Sequence, residues 1–276
     1  MPARRLGISL FLLMLGAGAL AGCGGTLGDA AGSFDPSHPG TLTVITQPLP
    51  TTGFWEGTDR KPTGGFEYGM ALALADRLGI EQVDVRTMPF SRIVTGRLVD
   101  GDVAMALITP TDEREEVLEF STPYFNSPPA LLVRAGTEVP DVQTAQELQW
   151  AVGRNTTFED IVAAQIHPDS EPLRYESRTV ELAALRSGKV DVAMFDLPAA
   201  QALVTADPSL EVAAKLSQTE PIAIALPNGS ENVEAISSAV RAMLSDGTLD
   251  ELAERWLGGP IEAGEDAVPL LRTAGP

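Results

Sequence analysis

The chain has 276 residues, 44% of them hydrophobic and 21% charged, with 38 acidic against 19 basic side chains and a net charge of −19. So acidic a chain excludes nucleic acid as a natural partner and argues against an anionic membrane surface. One cysteine rules out an internal disulfide, and two distant histidines, His38 and His167, supply no transition-metal ligand set, so neither metal nor cofactor is expected.

Residues 1–22 read as a secretion leader. Arg4 and Arg5 precede an apolar run from Leu6 to Leu20, too short and too glycine-rich for a preferred membrane span. Leu20-Ala21-Gly22-Cys23 follows directly and resembles the lipobox of bacterial lipoproteins. The resemblance implies cleavage before Cys23 and lipid on its thiol, hence anchoring at the outer face of the cell membrane. A plain leader with an incidental cysteine is the simpler alternative. Loss of Arg4 and Arg5 moves the net charge from −19 to −21. Residues 23–40 hold only Leu27 and Phe34 as large apolar side chains and are expected to form a tether. The remainder, roughly 220 residues, suffices for two modest lobes, and a monomer is expected.

Thr41–Thr46 is predicted as the first strand. The loop over 47–65 carries Phe54 and Trp55, aromatics that can wall a pocket or plug a surface. Met70, Leu74 and Leu78 share one face of a predicted helix over 65–78, with Gly79 as its stop. A strand over 83–88 and a helix carrying Ile93, Arg97 and Leu98 come next. The chain is organised around Asp102 to Tyr124. Val103–Ile108 is an unbroken apolar run that suits a strand buried on both faces. Thr109 or Thr111 can cap the helix start that follows, with Arg114 in its first turn. An arginine beside free N–H groups makes a site for a carboxylate or phosphate. Pairing of Arg114 with a neighbouring glutamate is the plainer reading.

Ala130–Arg134 and Thr219–Leu226 are predicted as extended crossing segments. Between them a strand over 149–153 leads to Asn155, Thr156 and Thr157, where Asn155 tolerates a left-handed turn and either threonine can cap a helix over 158–165. A helix over 180–186 leads to Asp191–Phe195, DVAMF, which echoes DVAMA at 102–106. Two similar units far apart suggest two similar lobes. The first leads to Arg114, the second to Asp196. Ligands of open α/β sheets bind outside the carboxyl ends of the strands, so a cation and a carboxylate facing each other there would suit a zwitterion. An ordinary helix N-cap is the alternative for Asp196. Helices are predicted over 199–205, 231–244 and 249–257, and residues 259–276 are expected to be loose.

Gly65-Phe66-Glu67, Ala75-Asp76-Arg77-Leu78-Gly79, Thr111-Asp112-Glu113-Arg114, Phe120-Ser121-Thr122-Pro123-Tyr124, Gly188-Lys189-Val190-Asp191 and Asp246-Gly247-Thr248-Leu249 through Arg255-Trp256-Leu257-Gly258 come in sequence. Over about residues 41–258 the chain resembles the family 3 bacterial extracellular solute-binding proteins, the polar amino-acid receptors of ABC importers. The resemblance implies an α/β, two-lobed Venus-flytrap fold, the type II periplasmic-binding-protein fold with two hinge strands. Lobe 1 would comprise 41–131 and 223–258, and lobe 2 would comprise 132–222. It further implies that Arg114 clamps the ligand carboxylate, Asp196 binds its ammonium, Phe90 and either Phe54 or Trp55 pack on it, and Leu107, Thr109 and Thr156 supply backbone and hydroxyl contacts.

The partners implied are an L-α-amino acid, with a polar or acidic side chain preferred, and an ABC permease. Three positions depart from the family pattern. Asn155 replaces a glycine, Gly69 a second acidic residue, and Leu107 a serine. A sensing subunit and a dehydratase-like enzyme remain as alternatives on the same fold, the latter needing a cleft acid such as Glu176 or Glu220. No hydrolase elbow or phosphate loop is present, and about twenty residues after Trp256 leave no room for a fused catalytic domain. An enzyme is therefore not expected.

Overall fold

The structure is a computed structural model and describes residues 33–260 and 267–272. The leader, the lipobox and Cys23 lie outside the described residues. The first lobe opens with β1 (Thr41–Thr46), a hairpin of β2 (Glu56–Thr58) and β3 (Lys61–Gly64), α1 (Phe66–Arg77) and β4 (Gln82–Thr87). It continues through α2 (Phe90–Ile93), β5 (Val103–Ile108), α3 (Asp112–Glu115), β6 (Leu118–Phe120) and β7 (Phe125–Ser127). The second lobe contains β8 (Pro129–Arg134), α4 (Val142–Glu147), β9 (Trp150–Gly153), α5 (Thr157–Ile161) with a π-helical extension to Ile166, and β10 (Leu173–Tyr175). It ends with α6 (Arg178–Arg186), β11 (Val192–Asp196), α7 (Leu197–Ala206) and β12 (Leu210–Lys215). The chain then returns to the first lobe with β13 (Glu220–Pro227), α8 (Val233–Ser245) and α9 (Thr248–Leu257).

The apolar run of β5 becomes the central strand of its sheet because both faces are covered. Val103, Met105 and Leu107 point into one core cluster, and Ala104, Ala106 and Ile108 into the other. On α1, Phe66, Met70 and Leu74 recur at helical spacing and are fully buried. Each such side chain contributes about 1.5–3 kcal/mol relative to exposure. Gly69 has a packing reason for its departure from the acidic pattern: a Cβ there would meet Leu252 of α9 at 2.5 Å. The helix expected to reach Leu98 stops at Ile93. Gly96 bends back at φ 75, where a Cβ would lie 2.6 Å from the carbonyl of Val117.

The two sheets share one order. The first runs β4-β1-β5-β13-β6 and the second β10-β9-β11-β8-β12. In each, two parallel pairings lead inward to the strand carrying the repeated DVAM segment, and an antiparallel strand follows it. The internal likeness read from DVAMA and DVAMF is therefore a likeness of position: β5 and β11 are the matching strands of matching sheets.

The crossings lie elsewhere than expected. Ala130–Arg134 sits wholly within the second sheet, paired on both sides, and β13 sits wholly within the first. The chain changes sheets at 127–129 and at 216–220. These two passages run side by side, with Ser127 opposite Glu220 on one lobe and Ala130 opposite Lys215 on the other. The lobe boundaries at 131/132 and 222/223 therefore move to these passages, because strand pairing rather than apolar composition decides which sheet owns a segment.

Both ends are also more engaged than their composition suggests. Phe34 packs against the first core, Asp35 exchanges two hydrogen bonds with Asn232, and the Ser37 N–H donates to Asp102. At the other end, residues 267–272 run along the edge strand β12. The Lys215 N–H donates to Pro269 and the Leu271 N–H to Lys215, so that edge gains a partner.

Candidate functional site

At the end of β5 the backbone leaves the strand through Leu107 at φ 55, an uncommon conformation for a residue with a branched side chain. This turns the Leu107 N–H onto Glu67 Oε1 at 2.9 Å. Glu67 is fully buried and also accepts from the Tyr124 hydroxyl and, at 2.6 Å, from Trp55 Nε1. Burial still holds its carboxyl above the ordinary range, against the lowering by these three donors. Thr111, not Thr109, caps α3 by accepting from the Arg114 N–H, which leaves the Thr109 carbonyl to Arg114 Nη1 at 2.6 Å. Phe90 lies under the guanidinium at 5.5 Å. Burial lowers the pKa of Arg114 to about 10, so it remains a cation at neutral pH.

The second lobe supplies the facing wall. Asn155 takes the left-handed conformation expected of it, φ 60, and its carbonyl accepts from Arg114 Nη2 at 2.9 Å across the lobes. Thr156 precedes α5 and donates to Gly153, while Thr157 donates to Glu220. Asp196 stands at the start of α7 but makes no side-chain capping bond. The free Leu197 N–H goes instead to Ser127 Oγ and the Pro128 carbonyl. The ordinary-cap reading of Asp196 therefore fails, and its carboxylate, 3% exposed, is left facing the cleft wall. Burial raises its pKa to about 6, with partial relief from Arg178.

Phe90, Leu107, Thr109, Arg114, Thr156 and Asp196 line one cavity, completed by Thr157, Phe158 and Arg178. Phe54 and Trp55 do not reach it. Both are fully buried in the first-lobe core, Phe54 edge-on to Phe66 and Trp55 bonded to Glu67. A loop hides large apolar rings when the core beneath can take them, and this one does. The void is only about 10 Å³, the size of a single water site. The lobes are closed on each other, and a wider vestibule of about 430 Å³ outside Arg114 leads to solvent. Glu176 is not a cleft acid. It pairs with Arg154 at 2.7 Å and accepts from Ser91 on an exposed rim.

Arg178, Thr157, Phe158 and Glu67 escape sequence reasoning as site residues. Only Glu67 carries a signal, as an acid in a helix face otherwise apolar. Among the described residues no group of three or more His, Cys, Asp or Glu side chains could hold a metal, and no helix is long and apolar enough to cross a membrane.

Residues 42–259 match the family described as bacterial extracellular solute-binding proteins, family 3. The L-cystine-binding protein TcyJ of Escherichia coli (strain K12) is 30% identical over 233 residues, covering 80% of this chain and 84% of the relative. The ABC transporter glutamine-binding protein GlnH of Bacillus subtilis (strain 168) is 28% identical over 268 residues, covering 91% and 94%. Among solved structures, an ancestral arginine-binding protein bound to glutamine superposes with a TM-score of 0.71 at 28% identity, covering 80% of this chain and 99% of the other.

Proposed function

Because the chain belongs to the family 3 bacterial extracellular solute-binding proteins, we propose that it captures an L-α-amino acid between its lobes and delivers it to the permease of an ABC importer. One observation carries the reading: Arg114 of the first lobe and Asp196 of the second line the same cavity. A zwitterion presents a carboxylate to the guanidinium and an ammonium to the carboxylate, so these two buried charges each gain a partner. Phe90 covers the ligand's apolar face, and Leu107, Thr109 and Thr156 offer peptide and hydroxyl groups. The names of TcyJ and GlnH support an amino acid as the class, and the family resemblance supports a polar or acidic side chain.

The reaction is capture and release, with no bond made or broken. The protein works as a monomer at the outer face of the cell membrane, held there by lipid on Cys23 after loss of residues 1–22. Cys23→Ser is expected to block lipid attachment and leave the protein unprocessed or released. Unchanged membrane retention together with unchanged gel mobility would refute the anchor.

The site is tested by calorimetry across the common amino acids. Arg114→Ala is expected to cost about 2–5 kcal/mol, enough to abolish micromolar binding. Undiminished binding by Arg114→Ala would end this assignment.

A further inference from the structure

Arg178 opens α6 at the cleft, and its side chain is 18% exposed. The guanidinium lies over the Phe195 ring, its Cζ 4.6 Å from the centroid. Its Nη2 stands 3.8 Å from Asp196 Oδ2, beyond hydrogen-bond length. Among the described residues no hydrogen bond leaves the Arg178 side chain. Arg114 is different, since it already spends donors on Thr109 and Asn155. Arg178 is thus a positioned cation with five donors uncommitted, in the wall of the ligand cavity.

A simple zwitterion leaves donors unused in that wall. Arg114, Arg178 and Asp196 line the cavity, two cations against one anion. An α-carboxylate and an α-ammonium satisfy Arg114 and Asp196 and leave the Arg178 donors, ion-paired at 3.8 Å with Asp196, without a hydrogen-bond acceptor of their own in a closed site. Three further carboxylates lie near and weigh on the local charge, but none accepts a hydrogen bond from Arg178. Glu67 is committed to Tyr124, Trp55 and Leu107. Glu220 is committed to Thr157. Glu181, 1% exposed with Oε1 unpartnered, is pushed by burial to about 7 and is half neutral at neutral pH.

We infer that Arg178 determines specificity by binding a second carboxylate of the ligand, so that the preferred solute is an amino acid with an anionic group beyond its α-carboxylate. This rests on the amino-acid reading above. The second carboxylate can belong to a short side chain, as in glutamate or aspartate, or to the far end of a longer diacid such as cystine.

The test compares acid–amide pairs that differ at one side-chain group, with L-cystine as a longer ligand carrying a second carboxylate beside a second ammonium. Calorimetry at neutral pH is run with L-glutamate and L-glutamine, with L-aspartate and L-asparagine, and with L-cystine, on the wild type and Arg178→Met. Methionine keeps an apolar stem on Phe195 and removes the charge. The wild type is expected to prefer an acid over its amide by about tenfold or more, or to bind cystine by a like margin over the neutral amides. Arg178→Met should erase that margin by weakening acid binding more than amide binding, and an unchanged circular-dichroism spectrum and melting temperature show that the variant folds. Arg178→Lys should restore part of it. Preference among the glutamate and aspartate arms assigns the short source, and preference for cystine the long one.

A wild-type preference for the amides, or a margin that Arg178→Met leaves intact, overturns the inference without touching the amino-acid reading. Failure of the wild type to bind any common amino acid or cystine overturns both.

Discussion

Asp196 and Glu181 show how a site tunes itself by burial. Both carboxyls sit higher than in water because the interior disfavours their charged forms, and Arg178 offsets only part of this. Asp196 must be ionised to hold an ammonium. With its pKa at about 6, affinity is expected to fall as pH drops below that value, approaching tenfold per pH unit. Calorimetry at pH 5 and pH 7.5 checks this, and equal affinities would mean that Asp196 does not carry the ammonium. Glu181 has the opposite consequence for stability. A carboxyl raised from an ordinary 4.5 to about 7 binds its proton more tightly in the folded state. Its contribution is therefore favourable below about 4.5 and is lost as pH rises towards 7. Glu181→Gln should raise stability at pH 8, by up to about 3 kcal/mol, and leave it unchanged at pH 4. Denaturant melts at the two pH values decide the matter, and a uniform shift at both would refute the burial account.

Gly65 sets the start of α1, where φ is 115 and a Cβ would lie 2.1 Å from the carbonyl of Phe54. No rotamer relieves a clash between backbone atoms. Gly65→Ala is expected to cost at least about 2 kcal/mol, read from chemical denaturation. A near-neutral substitution would show that the Phe54–Trp55 loop yields freely. The edge strand β12 makes a second case. Residues 267–272 supply its outer hydrogen bonds, and Val268 and Leu271 pack on the second-lobe clusters. Removing residues 267–276 should speed amide exchange over 210–216 and leave the first sheet unaffected. Unaltered protection there would mean that the pairing adds nothing.

The closed arrangement carries the largest consequence for the molecule as a whole. Arg114 of one lobe donates to Asn155 of the other, and the void between them is about 10 Å³, too small for any amino acid. The lobes must therefore part to admit the proposed ligand. The two short passages at 127–129 and 216–220 are where few residues need change their backbone angles. A ligand shifts the open–closed balance only through contacts that differ between the two states. Arg114 and Asp196 provide that difference, since one group alone can be satisfied with the lobes apart. With the unliganded lobes parted in solution, small-angle scattering is expected to show a smaller radius of gyration with ligand, and Asp196→Ala should weaken both binding and compaction. An unchanged radius with ligand demonstrably bound would mean that binding does not shift the open–closed balance.

What the chain's residues determine without tertiary help is local or periodic. The apolar run at 103–108, the stripe on α1, the left-handed turn at Asn155 and the repeated DVAM segment all follow from side-chain size, spacing and backbone preference. Those are properties of neighbours along the chain, and Arg114 and Asp196 were legible because they end two such similar strands. Tertiary structure decided the rest. Phe54 and Trp55 went inward because the first-lobe core had volume for them, which no window around the loop reports. The crossings moved from within two strands to their ends because pairing partners far away in sequence claimed those strands. Arg178 entered the site only through the packing of α6 against β11, which laid its guanidinium on Phe195 beside Asp196. Charge identity is written in the sequence, but which charges share one closed, water-poor space is a property of the fold, and that space sets their energies.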